Sequence, residues 1–417
     1  MSTYAQILFY AIPFFLVLIA IEWFFSRNQN KTVYRTFDTV SSLSSGITNS
    51  VKDVLGLSIV IISYTWLFDN IKLLDIQSTW LTYAIAFVAL DFAGYWSHRF
   101  EHKVNILWNR HVIHHSSEEF NLACALRQPI SSVFAIFTIL LLPAALLGVS
   151  PKVIATVAPL HLFAQFWYHT RLINKMGWLE NIIVTPAHHR VHHAINDLYI
   201  DKNFGQIFIV WDKWFGTFQE EIEDIEPVYG VKNQLSTWNP ILINWKHMVQ
   251  IFKDAWRTHS IMDKIKIWFM PTGWRPTDVL KKYPISTMIE ASSQVKYSTR
   301  PSLSFNVWAA VQLIITLLLT LHFFSVIDKY SLIMLIAYGG FVVLNIYSYT
   351  SLMDRDKVSI ISEVVKYITI AVIFNSIGNW YGLPIISILL YNSISLFGAI
   401  YFLYVENQPP LKNHLKN

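Results

Sequence analysis

Long apolar runs alternate with short polar breaks along the chain, and the length of the runs decides what they can be. A helix needs about 17–25 residues to cross roughly 30 Å of hydrocarbon. Runs of that size fall near 4–25, 48–68, 80–97, 131–149, 152–168, 303–327, 330–349, 358–378 and 382–404, so the pattern predicts nine spans. The second run is the weakest, because Lys52 and Asp53 enter its first turn. Runs four and five meet at a very short turn around Ser150 and Pro151, as a helical hairpin that stops short of crossing would. The first run carries Glu22, has no basic residue ahead of it and no small-residue cleavage pattern behind it, and therefore reads as a span and not a signal peptide.

Between Thr170 and Pro301 the runs stop, and a segment rich in Trp, Lys and Pro follows, including Met270-Pro271-Thr272-Gly273-Trp274-Arg275-Pro276. Trp238, Trp245, Trp256, Trp268 and Trp274 suit the headgroup region of a bilayer, so parts of this insert are expected to lie on the membrane. The competing reading is that they fill a small soluble core. The last four runs hold only His322 and no dense polar constellation, as a scaffold or lipid-facing wall would. Basic loops stay cytoplasmic. Arg27, Lys31 and Arg35 follow run one, Arg99, Lys103, Arg110 and Arg127 follow run three, and Arg171 and Lys175 open the insert; Arg355, Lys357, Lys412 and Lys416 agree. The amino terminus is then outside, and the insert and carboxyl terminus inside.

Composition supports the bilayer reading. The chain is 53% hydrophobic and 14% charged, against roughly 25% charged in soluble domains. A net charge of +5 is modest, and the basic residues are not gathered in one stripe with interleaved aromatics, which argues against a nucleic-acid partner. A single cysteine, Cys124, excludes an internal disulfide framework and a cysteine-rich metal site. Any metal must be held by histidine or carboxylate.

Eleven of the fifteen histidines lie between His98 and His193, under a quarter of the chain. They fall as His98 and His102, then His111, His114 and His115, then His189, His192 and His193. Residues three and four apart share a helix face, so each set can aim two or three imidazoles at one point. Imidazoles crowded together repel when protonated and lose partners when buried neutral, whereas a divalent metal selects the neutral form and bonds each ring. Eight ligands exceed what one ion takes, so the count favours two ions. Zinc in a closed structural site uses four ligands and cannot activate oxygen, which favours iron among the metals that imidazole suits. Taken singly, an HxxxH or HxxHH set is often mere packing; the ordered combination is what carries the reading.

His169 and His161 share a face at the end of run five with Gln165 between them; His169, level with the other sets, is a candidate ligand, and His161 a weaker one whose bland reading is a bond to a neighbouring helix. His188 points about 100° from His189 and is disfavoured. Asp91 lies inside run three, where a charge needs a partner; two turns before His98, it is placed to accept an imidazole N–H and is a candidate catalytic-site residue. Glu118, Glu119, Asp201, Asn203 and Asp212 are similar candidates, each with a loop or capping role as the plainer reading.

These stretches resemble the sterol desaturase and fatty acid hydroxylase superfamily of membrane di-iron enzymes. The likeness rests on Asp91 with Tyr95-Trp96-Ser97-His98-Arg99 and His102, HVIHH at 111–115, TPAHHRVHH at 185–193, and the tail of Asn196, Tyr199, Asp201, Asn203, Phe204, Gly205, Trp211-Asp212 and Phe215-Gly216-Thr217. Within it the chain is most similar to the alkylglycerol monooxygenase family, through HHSSEEFNLACALRQ at 114–128, QFWYHTRLINKMGWLE at 165–180, VYGVKNQLSTWNP at 228–240 and GWRP at 273–276. The resemblance implies that the eight motif histidines bind two irons, that tetrahydrobiopterin or a redox protein supplies electrons with Glu118 beside the pterin, and that a lipid C–H bond next to an ether oxygen is hydroxylated with O2, releasing aldehyde and glycerol. The alternative is a hydroxylase or desaturase of a fatty acyl, sterol-like or aminolipid substrate. His161 matches no position of the family pattern. The predicted architecture is all-α, a polytopic membrane protein with a cytoplasmic histidine-rich di-metal cap: 1–79 amino-terminal spans, 80–220 catalytic core, 221–302 membrane-associated insert, 303–417 carboxyl-terminal spans. A haem electron carrier would need single histidines on facing spans and a metal transporter ligands deep within several; neither fits adjacent pairs at span ends. A binding protein of the same fold without catalysis is the remaining rival.

Overall fold

The computed structural model describes residues 3–407, with side chains from Ala5 onward; Lys412 and Lys416, used above for orientation, lie outside the described residues. The chain is mostly helical. Five helices are long and apolar enough to cross a membrane: Ala5–Asn28, Leu303–Lys329, Leu332–Met353, Val358–Ile377 and Ile385–Glu406. The chain is a membrane protein with five such helices among the described residues, where the apolar runs predicted nine.

The difference lies in runs two to five. Helix α1 (Thr3–Asn28) is followed by α2 (Thr36–Val54), whose stripe of Phe37, Val40, Leu43, Ile47 and Val51 is buried. Run two is not one helix: α2 ends, Gly56 takes a positive φ of 65° that favours glycine, and Ile59–Val60 pairs in parallel with Phe134–Ala135. Ser63 then caps a new short helix, Tyr64–Ile71. Run three is the continuous 24-residue α3 (Trp80–Lys103), apolar at its start and polar at its end. Run four breaks into Phe137–Leu141 and Leu142–Leu146. Run five is α4 (Pro151–Phe163), capped by the Ser150 hydroxyl with Pro151 in its first turn. Its 13 residues rise about 20 Å, short of a bilayer, and it packs mainly on α3.

Three further helices place the site: α5 (Pro186–His193), α6 (Pro240–Arg257) and α7 (Ile261–Lys266). The carboxyl-terminal helices α8 (Leu303–Val326), α9 (Leu332–Met353), α10 (Val358–Ile377) and α11 (Ile385–Glu406) pack on one another, and α8 and α9 also pack on α2. Contrary to the sequence reading, this bundle does enclose a dense polar constellation. Lys366 and Glu363 form a buried ion pair at 2.7 Å. Lys366 also donates to Asn345 Oδ1 at 2.7 Å, Glu363 accepts from Ser348 at 2.6 Å and Ser395 at 2.9 Å, and Tyr391 donates to Gln312 at 2.6 Å. The residues come from four helices, and apart from the i,i+3 pair of Glu363 and Lys366 the contacts join wide sequence separations, so local spacing does not reveal the network.

Candidate metal centre

Each histidine set is positioned by a local device. On α3, His98 and His102 stand one turn apart, as the HxxxH spacing predicts. The set at 111–115 ends in the short helix Val112–His115. The third set occupies all of α5, which opens on Thr185 and Pro186; His188 Nδ1 accepts from the Thr185 backbone N–H at 3.3 Å, closing the cap. His188 is thus part of a helix start and joins neither metal-binding group.

Nine imidazoles assemble into two groups. His98, His102, His111, His115 and His192 form one, and His114, His169, His189 and His193 the other; within each, one potential ligand atom per residue lies within 4.8 Å of every other. Adjacent residues point to different groups: His114 and His115 part company, as do His192 and His193, because neighbours on a helix are rotated by about 100°. All eight motif histidines and His169 are brought together. His161 is not, because its Nε2 bonds Asp91 Oδ1 at 2.9 Å.

The hydrogen bonding fixes what the rings present. His98 Nδ1 lies 2.9 Å from the Phe204 carbonyl, His192 Nδ1 2.9 Å from that of Lys202, His169 Nδ1 3.1 Å from that of Gln165 and His114 Nδ1 3.3 Å from that of Arg127. A carbonyl only accepts, so these Nδ1 atoms carry the protons and the Nε2 lone pairs face inward. His102 and His111 turn Nδ1 toward Asp201 at 3.4 Å and Glu101 at 3.5 Å. The inward Nε2 atoms nearly touch: His98 to His111 2.9 Å, His102 to His115 3.1 Å, His169 to His189 2.8 Å, His114 to His169 3.3 Å and His114 to His193 3.1 Å. His114 and His169 both have Nδ1 committed, so no hydrogen bond can join their Nε2 atoms, and facing lone pairs repel. A cation between them removes the conflict. Two nitrogens at right angles on metal bonds of about 2.1 Å stand about 3.0 Å apart, the spacing seen. Burial holds His114 and His169 neutral, their pKa values lowered to about 3, and pushes those of His189, His192 and His193 well down. The donor set fits a metal ion in each group.

A fatty acid hydroxylase family model matches residues 83–217, the stretch that holds all nine histidines. Alkylglycerol monooxygenase of Homo sapiens is 33% identical over 85% of this chain and 80% of its own length, and that of Xenopus tropicalis 30% identical over 85% and 79%. The chain belongs to the alkylglycerol monooxygenase family. The same enzyme of Danio rerio is 35% identical over 64% of this chain and 59% of its own. The family likeness extends past the histidine core into the insert and the bundle. No solved structure matches the chain.

Other candidates sit differently from the sequence expectation. Asp91 accepts from Ile207 N at 2.7 Å, Phe208 N at 3.0 Å, Trp211 Nε1 at 2.7 Å and His161 at 2.9 Å, so its carboxylate is fully used and no ligand imidazole reaches it. It fixes the loop after Gln206, which in turn presents the Phe204 carbonyl to His98. Gly94 permits this approach, since a Cβ there would meet Gln206 Cγ at 2.6 Å. Asp212 holds the same loop by accepting from Phe204 N and Gly205 N, both at 2.7 Å, and Asn203 ties it to the His188 carbonyl at 3.1 Å.

Glu118 is buried and accepts from Gln234 at 2.5 Å and the Tyr297 N–H at 2.7 Å; burial pushes its carboxyl above the usual range while these bonds pull it back. The space beside it is about 20 Å³, room for about one water. Glu119 pairs with Lys296 at 2.7 Å and Arg171 at 3.3 Å. A far larger cavity of about 960 Å³ reaches His102, His115, His192 and His193, with Trp108, Trp245, His247 and Trp274 among its walls. Glu101 went unnoticed in the sequence although it shares the face of α3 with His98; the Phe204 and Lys202 carbonyls, being backbone, leave no residue-type signal at all.

Proposed function

We propose that this chain is an O2-dependent lipid monooxygenase whose nine clustered histidines hold two iron ions, and that it hydroxylates the C–H bond beside the ether oxygen of an alkylglycerol lipid. The hemiacetal product collapses to a fatty aldehyde and glycerol. Family membership supports the substrate class, and one observation carries the centre: the Nε2 lone pairs of His114 and His169 face each other at 3.3 Å within a buried group, the Nδ1 of each being spoken for by a backbone carbonyl. His98, His102, His111, His115 and His192 would hold one ion, and His114, His169, His189 and His193 the other. Bound there, iron would supply the activation of O2 that C–H hydroxylation requires.

The chain's own residues then have three tasks. The cavity wall of Trp108, Leu242, Trp245, Ile251 and Ile267 excludes water from an apolar chain. The same cavity ends on His102 and His115 of one group and His193 of the other, so a chain lying in it is held against both. The Phe204, Lys202, Arg127 and Gln165 carbonyls hold the ring protons outward. Asp91 and Asp212 act through the loop at 203–212. We read the site as facing the cytoplasm, on the basic residues Arg99, Lys103 and Arg110 beside it, with a pterin or a redox protein as electron donor; the cavity, not the space at Glu118, has the volume for such a ring.

Purification in detergent followed by metal analysis and an optical spectrum is the test. About two non-haem irons per chain are expected; a Soret band, or zinc retained after iron-replete expression, would overturn the reading. Aldehyde release from an alkylglycerol with and without tetrahydrobiopterin tests the substrate, and no aldehyde under either condition rejects ether cleavage.

A further inference from the structure

Helices α6 and α7 bear an apolar face that nothing in the described structure covers. Trp245, Val249, Phe252 and Trp256 recur at intervals of four, three and four residues, one stripe along α6, and all are exposed, Trp256 at 85%. Ile261, Ile265 and Phe269 continue the pattern through α7, with Met262 beside them, again exposed. The other side of α6, with Ile243, Asn244, Ile251 and Asp254, is buried. Lys253, Arg257, Lys264 and Lys266 flank the bare face; the acids in that stretch are Asp263 and Asp254, and Asp254 is taken by Arg275 at 2.6 Å. Aromatic and aliphatic groups on one side with a basic border form the pattern of a helix lying in a membrane surface.

The position agrees. This ridge is fastened to the end of α3: Asn105 N donates to the Met270 carbonyl at 2.9 Å, Ile106 N to that of Trp268 at 3.0 Å, and the Thr272 hydroxyl to that of His102 at 2.5 Å. It lies at the histidine end of α3, whose opposite end is exposed and apolar at Trp80 and Leu81. Trp245, Val249 and Lys253 also line the 960 Å³ cavity, so the bare face and the cavity share an edge.

We propose that α6 and α7 form an in-plane foot seated among anionic lipid headgroups, and that the seam at Trp245 and Val249 is where a lipid chain passes from the bilayer toward the histidine groups. The passage rests on the lipid-oxidation reading; the foot does not. For the foot, the full chain carrying a nitroxide at Trp256→Cys is placed in nanodiscs of phosphatidylcholine mixed with phosphatidylglycerol. Cys124 is buried and should not take the label. Relaxation by O2 relative to a water-soluble nickel chelate should be severalfold higher than at Glu223→Cys, an exposed polar position of the insert, and higher than in phosphatidylcholine alone. Nickel access equal to that at Glu223→Cys overturns the foot, as does spin–spin broadening between two copies, which would make the stripe a subunit contact. For the seam, Val249→Trp should raise KM severalfold more for a long-chain lipid in the bilayer than for a short soluble analogue, with bound metal kept. Equal effects on both substrates overturn the seam. No turnover of either substrate by the unmodified chain refutes lipid oxidation and the passage with it, while the nitroxide still decides the foot.

Discussion

In the carboxyl-terminal bundle Lys366 and Glu363 are as buried as any histidine of the core, yet every charge there faces its opposite: ammonium to carboxylate at 2.7 Å, hydroxyls to the carboxylate, amide to amine. At the histidine core His114 and His169, each with Nδ1 committed to a backbone carbonyl, face each other Nε2 to Nε2 at 3.3 Å, a pair that a cation would complement. Both are costly to bury. The first arrangement is complete within the chain and holds helices together; the second is complete only with a cation. Burial of polar groups therefore does not mark a functional site by itself, whereas burial of like polar atoms pointing at one spot does.

Mutations that disturb one region and spare the other test this contrast. The largest effect is expected at the core, where His192→Ala should abolish turnover and lower the iron bound per chain, measured by metal analysis; retained turnover would refute its ligand role. In the bundle, Lys366→Met leaves Glu363 without its cation and should cost about 3–5 kcal/mol, read as thermal unfolding in detergent, with bound metal unchanged. Adding Glu363→Leu should recover most of that loss, and metal lost along with stability would show that the two regions are not separate. Asp91→Asn places an NH2 donor against two of the four donors and loosens the loop behind His98. A weakening of metal affinity of about 10–100-fold is expected by chelator competition, with less effect on the group that holds His169. His188→Ala should do least, about 1 kcal/mol for a lost cap contact, with metal content intact; a drop in bound metal would return His188 to the ligands.

The sequence displayed the core well and the bundle poorly, for a physical reason. Candidate ligands three and four residues apart on a helix leave a local trace, so His98, His102, His111, His114, His115, His189, His192 and His193 stand out, and His169 follows from its place at the end of run five. How they divide into five and four was not legible, because it depends on rotation about short helices. The bundle network joins Gln312, Asn345, Glu363, Lys366 and Ser395 across α8 to α11, one or two residues per helix, and isolated polar residues in apolar runs look incidental. Runs two to five fall outside the five long apolar helices because mean hydropathy is blind to Gly56, to the Ser63 cap and to the breaks around Pro143 and Pro151, and because α3, the helix of run three, carries Asp91 and turns polar toward its histidines. Asp91 needs a partner by its place in an apolar run, but two of its four partners are backbone N–H groups more than a hundred residues away.

The split of neighbouring histidines has a consequence for assembly. His114 and His115 serve different groups, as do His192 and His193, and the rings of His115 and His193, one from each group, stack at 4.3 Å. Seating an ion in one group would orient the backbone that presents the other, so uptake of two ions would be cooperative. Chains titrated with less iron than they can hold should separate by native mass spectrometry into empty and doubly loaded species, with the half-loaded form scarce.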